Sequence, residues 1–118
     1  MFRVIVAGTR TLRDYDLVRR TLDRYLAGKT EVVILSWGAR GADALGERYA
    51  RERGLPVERF PADWKRYGRA AGPLRNQQMA ERGDALVAFW DGKSRGTRHM
   101  IECAKRKGLD VHVVLLDP

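Results

Sequence analysis

The chain has 118 residues, 44% of them apolar and 32% charged, and a formal net charge of +8 from 23 basic and 15 acidic side chains. That size and mixture correspond to one folded domain and exclude a disordered tail, and no apolar run approaches the roughly 20 residues that span a bilayer. A single cysteine, Cys103, excludes an internal disulfide framework, and Met1 to Gly8 is too short for a secretion signal, so a cytoplasmic globular domain without membrane contact is expected.

Taken in order, Arg3 to Ala7 is a β-branched run ending at Gly8, the pattern of a strand buried on both faces. Asp14 suits a helix N-cap, followed by Tyr15, Val18, Leu22, Tyr25 and Leu26 at helical spacing and by Gly28 as a stop. Glu31 to Leu35 reads as the second strand, and Gly41 to Arg53 as the second helix, stopped by Gly54. Pro56 to Phe60 gives a third strand before Pro61 breaks the pattern. The stretch from Ala62 to Gly72 reads as loop, and Pro73 fits the first turn of a third helix reaching Arg82. Asp84 to Trp90 is the fourth strand and Asp91 to Arg95 a polar loop. A fourth helix starts near Gly96 and Thr97, buries Met100, Ile101 and Ala104, and stops at Gly108 ahead of a fifth strand, Val111 to Leu116. Strict alternation of short apolar strands with amphipathic helices predicts an α/β fold, a parallel sheet covered on both faces. Both common doubly wound strand orders fit that alternation, and in either a ligand gathers beyond the carboxyl ends of the strands.

The segments leaving those ends share a composition. They are Gly8-Thr9-Arg10-Thr11, then Ser36-Trp37-Gly38-Ala39-Arg40-Gly41-Ala42-Asp43, then Asp63-Trp64 running on to Gly72-Pro73-Leu74-Arg75-Asn76, and finally Asp91-Gly92-Lys93-Ser94-Arg95-Gly96-Thr97. Glycines let backbone N–H groups approach an oxyanion, helix N-termini favour negative charge, and arginines grip phosphates with charge-assisted hydrogen bonds. The net positive charge points the same way, towards anionic partners. Trp37, Trp64, Tyr67 and Trp90 stand at or just past strand ends, where a flat base can stack.

Several standard motifs fail. Gly92-Lys93-Ser94 looks like the end of a P-loop, but Val87 stands where its first glycine belongs, and no G-x-G-x-x-G follows the first strand. His99 and Cys103 form an i, i+4 pair, too few side chains for a metal site, so no metal is expected. Ser36 has no evident His–Asp relay.

The segments Val6 to Arg10, Gly38 to Asp43, Pro61 to Trp64, Gly72 to Met79 and Phe89 to Thr97 together resemble the YspA-like, cpYpsA-related branch of the SLOG superfamily, also called DUF2493. The resemblance spans essentially the whole chain. It implies a Rossmann-like three-layer sandwich with strand order 3-2-1-4-5, a crevice between the first and fourth strands, and a nucleotide-derived ligand such as ADP-ribose or an NAD-related molecule. The superfamily includes the Lonely Guy phosphoribohydrolases. Arg75-Asn76-Gln77-Gln78-Met79 is similar to their R-K-x-x-M segment, which gives Arg75 a phosphate or ribose role. Asp91 to Thr97 is similar to their P-G-G-x-G-T-x-x-E loop, which gives Gly92, Gly96 and Thr97 phosphate contacts. Their catalytic glutamate falls on Met100, whose thioether cannot move a proton, and Trp37 stands where this branch has glycine.

The leading expectation is therefore a domain that binds or senses a nucleotide derivative and needs no other cofactor. Gly8, Thr9 and Arg10 face the ligand from the first strand. Ser36, Gly38, Arg40 and Gly41 cradle a phosphate, with Trp37 beside them either narrowing that loop or supplying a stacking face, and Arg75, Asn76, Asp91, Gly92, Ser94, Gly96 and Thr97 close the other side. Asp43 or Asp63 accepts from ribose hydroxyls, and Trp64 offers a stacking face. A hydrolase of an N-glycosidic or phosphate bond is the first alternative, with Asp43, Asp63, Asp91 and Glu102 as candidate acids. Binding of single-stranded nucleic acid, drawing on the net charge of +8 and on the DNA-processing proteins that carry a related fold, is the second. A homo-oligomer is compatible with all three.

Overall fold

The computed structural model describes residues 1–117. Its elements follow the order β1 (Phe2–Gly8), α1 (Tyr15–Tyr25), β2 (Val32–Ser36), α2 (Ala42–Arg53), β3 (Val57–Arg59), α3 (Trp64–Tyr67), α4 (Ala71–Arg82), β4 (Ala85–Trp90), α5 (Arg95–Arg106) and β5 (Asp110–Leu115). The five strands are parallel and lie in the order β3-β2-β1-β4-β5. Of the two orders the alternation allowed, this is the one that reverses direction between β1 and β4. It leaves a crevice above the carboxyl ends of those two strands.

Period-two alternation sorts the strand residues between two cores. Val4, Val6, Ile34, Val87 and Phe89 pack with Val18 and Leu22 of α1 and Tyr49 of α2. Ile5, Ala7, Leu35, Leu86 and Ala88 pack with Met79 of α4 and with Met100 and Ala104 of α5. Each central strand is thus buried on both faces, which is why its sequence reads as a continuous apolar run. Helix α2 reaches the sheet through Gly46, where an added Cβ would lie 2.7 Å from Val6 Cγ1. Gly46→Ala is expected to lower stability by about 1–2 kcal/mol, the overpacking outweighing alanine's better helix propensity. Urea unfolding checks this, and an unchanged midpoint would contradict the close approach.

Two stretches differ from the sequence reading. Ala62 to Gly72 is not a loop throughout. Asp63 caps the short helix α3 by accepting from the Arg66 N–H at 3.1 Å, and a 3-10 turn over Gly68–Ala70 leads straight into α4. Consequently α4 begins at Ala71, earlier than the loop reading allowed, while Pro73 lies in its first turn as expected, where the missing N–H is harmless. Helix α5 starts at Arg95, one residue earlier than glycine and threonine suggested. Among the described residues, no helix is long and apolar enough to cross a membrane.

Candidate functional site

The reversal between β1 and β4 opens into a pocket of about 600 Å³. Its floor is the β1 end, Gly8 to Thr11, and one wall is Trp37. Helix α4 brings Gly72, Pro73, Arg75 and Asn76, α3 brings Trp64, and the β4–α5 turn brings Asp91, Ser94, Arg95, Gly96 and His99. Gly8 is required here for space: a Cβ would meet the Phe89 carbonyl oxygen at 2.2 Å and Ala42 Cβ at 2.9 Å. That contact lets the Thr9 N–H donate to Phe89 O at 2.9 Å and the Asp91 N–H donate to Thr9 Oγ1 at 3.0 Å, tying the two loops together.

The entrance to α5 leaves its first-turn donors open towards the pocket. Helices α1 and α3 are closed by their own capping aspartates, Asp14 and Asp63. Helix α5 has no side-chain cap at Ser94, and its first residues, Arg95 and Gly96, line the pocket. Unpaired N–H groups and the positive end of the helix dipole therefore face the pocket. Asp91 holds the turn by accepting from the Lys93 and Ser94 N–H groups, each at 2.8 Å, and those donors, Ser94 first, keep its carboxyl below the usual range. Asp91 is thus a turn-maker, fully ionised, and a poor general acid.

Arg75 reaches in from the opposite side. Its guanidinium lies 4.3 Å from the centroid of the Trp37 ring, and its Nε donates to Asn76 Oδ1 at 3.3 Å. Asn76 is buried and donates in turn to Gly96 O and towards His99 Nδ1, at 3.4 and 3.0 Å. Burial pulls Arg75 below arginine's ordinary value, an effect that nearby Asp43 opposes. The pocket is therefore strongly cationic, with Arg10, Arg75 and Arg95 against Asp91 alone.

Trp37 is only 9% exposed, held between Arg75 on one face and Gly96, whose added Cβ would lie 3.5 Å from the indole. A tryptophan in place of glycine thus thickens the wall and props Arg75, and it presents no free face for stacking. Trp64, 58% exposed at the rim, does present one.

Of the residues singled out in the sequence, Gly8, Thr9, Arg10, Trp37, Trp64, Arg75, Asn76, Asp91, Ser94 and Gly96 come together in this pocket. The others stand elsewhere. Gly38 and Arg40 border a separate shallow depression with Arg10. Gly41 packs against the chain itself, since a Cβ there would meet Thr9 O at 2.3 Å. Ser36 is buried and donates to Glu47 at 2.8 Å, and its hydroxyl accepts from the Gly38 N–H at 3.0 Å. Asp43 is buried behind the pocket, where it accepts from the Trp37 N–H at 2.9 Å. Asp63 caps α3, Gly92 faces Leu115, and buried Thr97 bonds the Ser94 hydroxyl at 3.1 Å. Glu102 lies on the outer face of α5, paired with Arg98 at 3.4 Å. Met100, the position the resemblance matches to a catalytic glutamate, is completely buried against the sheet. Residues that sequence reasoning gave no ligand role, Thr11, Arg95 and His99, also line the pocket. The signal for His99 was its spacing, one helical turn beyond Arg95 on the same face of α5. Among the described residues, no three His, Cys, Asp or Glu side chains are grouped to hold a metal.

The fold and these loops have known counterparts. The Gene 61 protein of Mycobacterium phage D29 is 38% identical over 118 aligned residues, covering 94% of each chain. Among solved structures, DNA processing protein A from Streptococcus pneumoniae superposes with a TM-score of 0.73 at 19% identity, over 98% of this chain and 50% of that one. Its Helicobacter pylori counterpart, described for its single-stranded DNA binding mode, gives 0.69 at 19% identity over 98% and 66%. The protein TM1055 gives 0.69 at 22% identity over 94% and 72%. This chain thus spans half of the first of these structures and just under two thirds of the second. The model of the YspA, cpYpsA-related SLOG family matches residues 2–67, and with the phage relative it shows that the chain belongs to that family.

Proposed function

We propose that the pocket binds the phosphate of a nucleotide derivative, a class that includes nucleoside monophosphates, ADP-ribose and NAD. The observation that carries this reading is the uncapped N-terminus of α5 opening into the same 600 Å³ space as Arg10, Arg75 and Arg95. A phosphate placed there accepts from main-chain N–H groups and guanidinium groups already fixed by the fold, at little cost in ordering. The volume suits a small ligand, and the exposed Trp64 ring offers a platform for its base. Binding without turnover is favoured, because Met100 is sealed in the core, Asp43 is buried behind Trp37 and does not line the pocket, Asp91 and Asp63 are spent on local N–H groups, and Glu102 points away.

Calorimetry with AMP, ADP-ribose and NAD tests the reading, and an absence of binding below millimolar for all three overturns it. Trp64→Ala is expected to weaken binding about 5- to 30-fold, the loss of one base–aromatic stack of about 1–2 kcal/mol. Titration of the variant under the same conditions gives that ratio. A second reading, single-stranded nucleic acid, draws on the net charge of +8 and on Trp64 and Tyr67, both exposed on α3 beside Lys65 and Arg66. The two separate by salt: oligonucleotide affinity falls steeply between 50 and 200 mM salt when several phosphates are gripped, roughly one power of salt per contact, whereas a mononucleotide responds weakly.

A further inference from the structure

Beyond the phosphate pocket, the crevice has a second compartment of about 470 Å³ on the α1 side of the sheet, bordered by the same Thr9, Thr11 and Asp91. We infer that this compartment receives the other half of a two-part ligand, a flat cationic ring group joined through the phosphate to the nucleotide held by Arg75. The inference rests on the nucleotide reading and narrows it to ligands of that construction.

The two compartments have opposite chemistry. The first sets Arg10, Arg75 and Arg95 against Asp91. The second sets Arg13 against Asp14, Asp91 and Asp117, and its walls are Leu12, Leu17 and the β5 end, Val114 to Leu116. The sign of the charge inverts across the Asp91 N–H to Thr9 Oγ1 hydrogen bond, which forms the saddle between them. A second phosphate or a continuing polynucleotide backbone meets unfavourable charge there, while a flat apolar ring with a positive charge meets leucine walls and carboxylates. Leu115 is 68% exposed at this border, a cost in water that a seated ring removes.

The discriminating probes are NAD+ and NADH, which share size and phosphates and differ in the charge of one ring, with AMP as the reference. NAD+ is expected to bind about three- to tenfold more tightly than NADH, as one extra charge near these carboxylates implies, and more tightly than AMP. The double variant Leu115→Lys, Asp117→Lys reverses the local charge at exposed side chains with no core contact to lose. It is expected to abolish the NAD+ preference while leaving AMP affinity within twofold. If AMP binds but NAD+ and NADH bind alike, or the double variant leaves their ratio unchanged, the second compartment is not a ligand site and the phosphate pocket stands. If AMP, NAD+ and NADH all fail to bind below millimolar, both readings fall together. If the double variant instead turns a dimer into a monomer in sedimentation and the NAD+ to NADH ratio stays the same, a second copy of the chain covers this surface and the inference is overturned.

Discussion

Arg75→Ala is expected to weaken nucleotide binding about 10- to 150-fold, the equivalent of roughly 1.5–3 kcal/mol for hydrogen bonds to a charged group. Two features of the site put the effect towards the upper end. The guanidinium is half-buried over Trp37, so its bonds to phosphate form away from bulk water, where they are stronger. It is also fixed in place by Asn76 Oδ1 and by the indole face, so little side-chain entropy is lost when the ligand arrives. Arg75→Lys is expected to recover only part of the loss, because an ammonium neither stacks on the ring nor bonds Asn76 and phosphate with one planar fork. Arg40→Ala is the informative contrast. Arg40 borders a different depression, and its removal is expected to change affinity less than twofold. Titration of the three variants checks this, with thermal melts to confirm that each is folded. Equal affinities for Arg75→Ala and the unaltered protein would remove the phosphate pocket from consideration.

The contrast between Arg75 and Arg40 marks the limit of what could be read from the chain alone. Apolar runs separated by amphipathic stretches suffice for a parallel α/β sheet, because central strands buried on both faces cannot carry polar residues. The same pattern leaves the strand order open, and only family resemblance pointed to 3-2-1-4-5, the order the fold has. Loop composition locates the edge where ligands gather, but it does not tell which way a side chain turns. In Ser36 to Asp43 the glycines and hydroxyl have the composition of a phosphate cradle, yet Ser36 is consumed by Glu47 and Gly41 by close packing on Thr9. Those outcomes depend on partners 11 and 32 residues away, which local composition does not encode. Asp63 and Asp91 illustrate the same point, since each carboxylate first satisfies N–H groups within three residues of itself. Helical spacing pairs His99 with Cys103 alone, whereas its other neighbour, Asn76, lies on the adjacent helix 23 residues earlier.

Asp43 carries the largest expected effect on stability, and its sign is opposite to that of a typical acidic residue. Its carboxyl is 1% exposed, one oxygen accepts from the Trp37 N–H, and the other, Oδ1, has no protein partner. Burial pushes it up to about 7, against the pull of the Ala39 and Trp37 N–H groups and of Arg75. In the unfolded chain an aspartate titrates near 3.9, so the unfolded state gives up this proton first. As pH rises from about 4, ionisation favours the unfolded chain, and the loss of stability continues until the folded carboxyl ionises near 7. Between pH 5 and pH 8 the linkage amounts to about 2–3 kcal/mol. Asp43→Asn keeps an oxygen to accept from Trp37 and removes the titration. Urea unfolding of both proteins is therefore expected to show their stability difference moving by about 2–3 kcal/mol in favour of the variant between those pH values. Parallel pH profiles would mean that the carboxyl is solvated or paired, contrary to its place behind the Trp37 wall. The charge beneath Arg75 also bears on the site. Ionised Asp43 offsets part of the cationic field offered to a phosphate, so an anion whose own charge is constant over this range, such as sulfate, is expected to bind more tightly below pH 7 than above it. A buried carboxyl that lowers stability at neutral pH is thereby coupled to the strength of the neighbouring anion pocket.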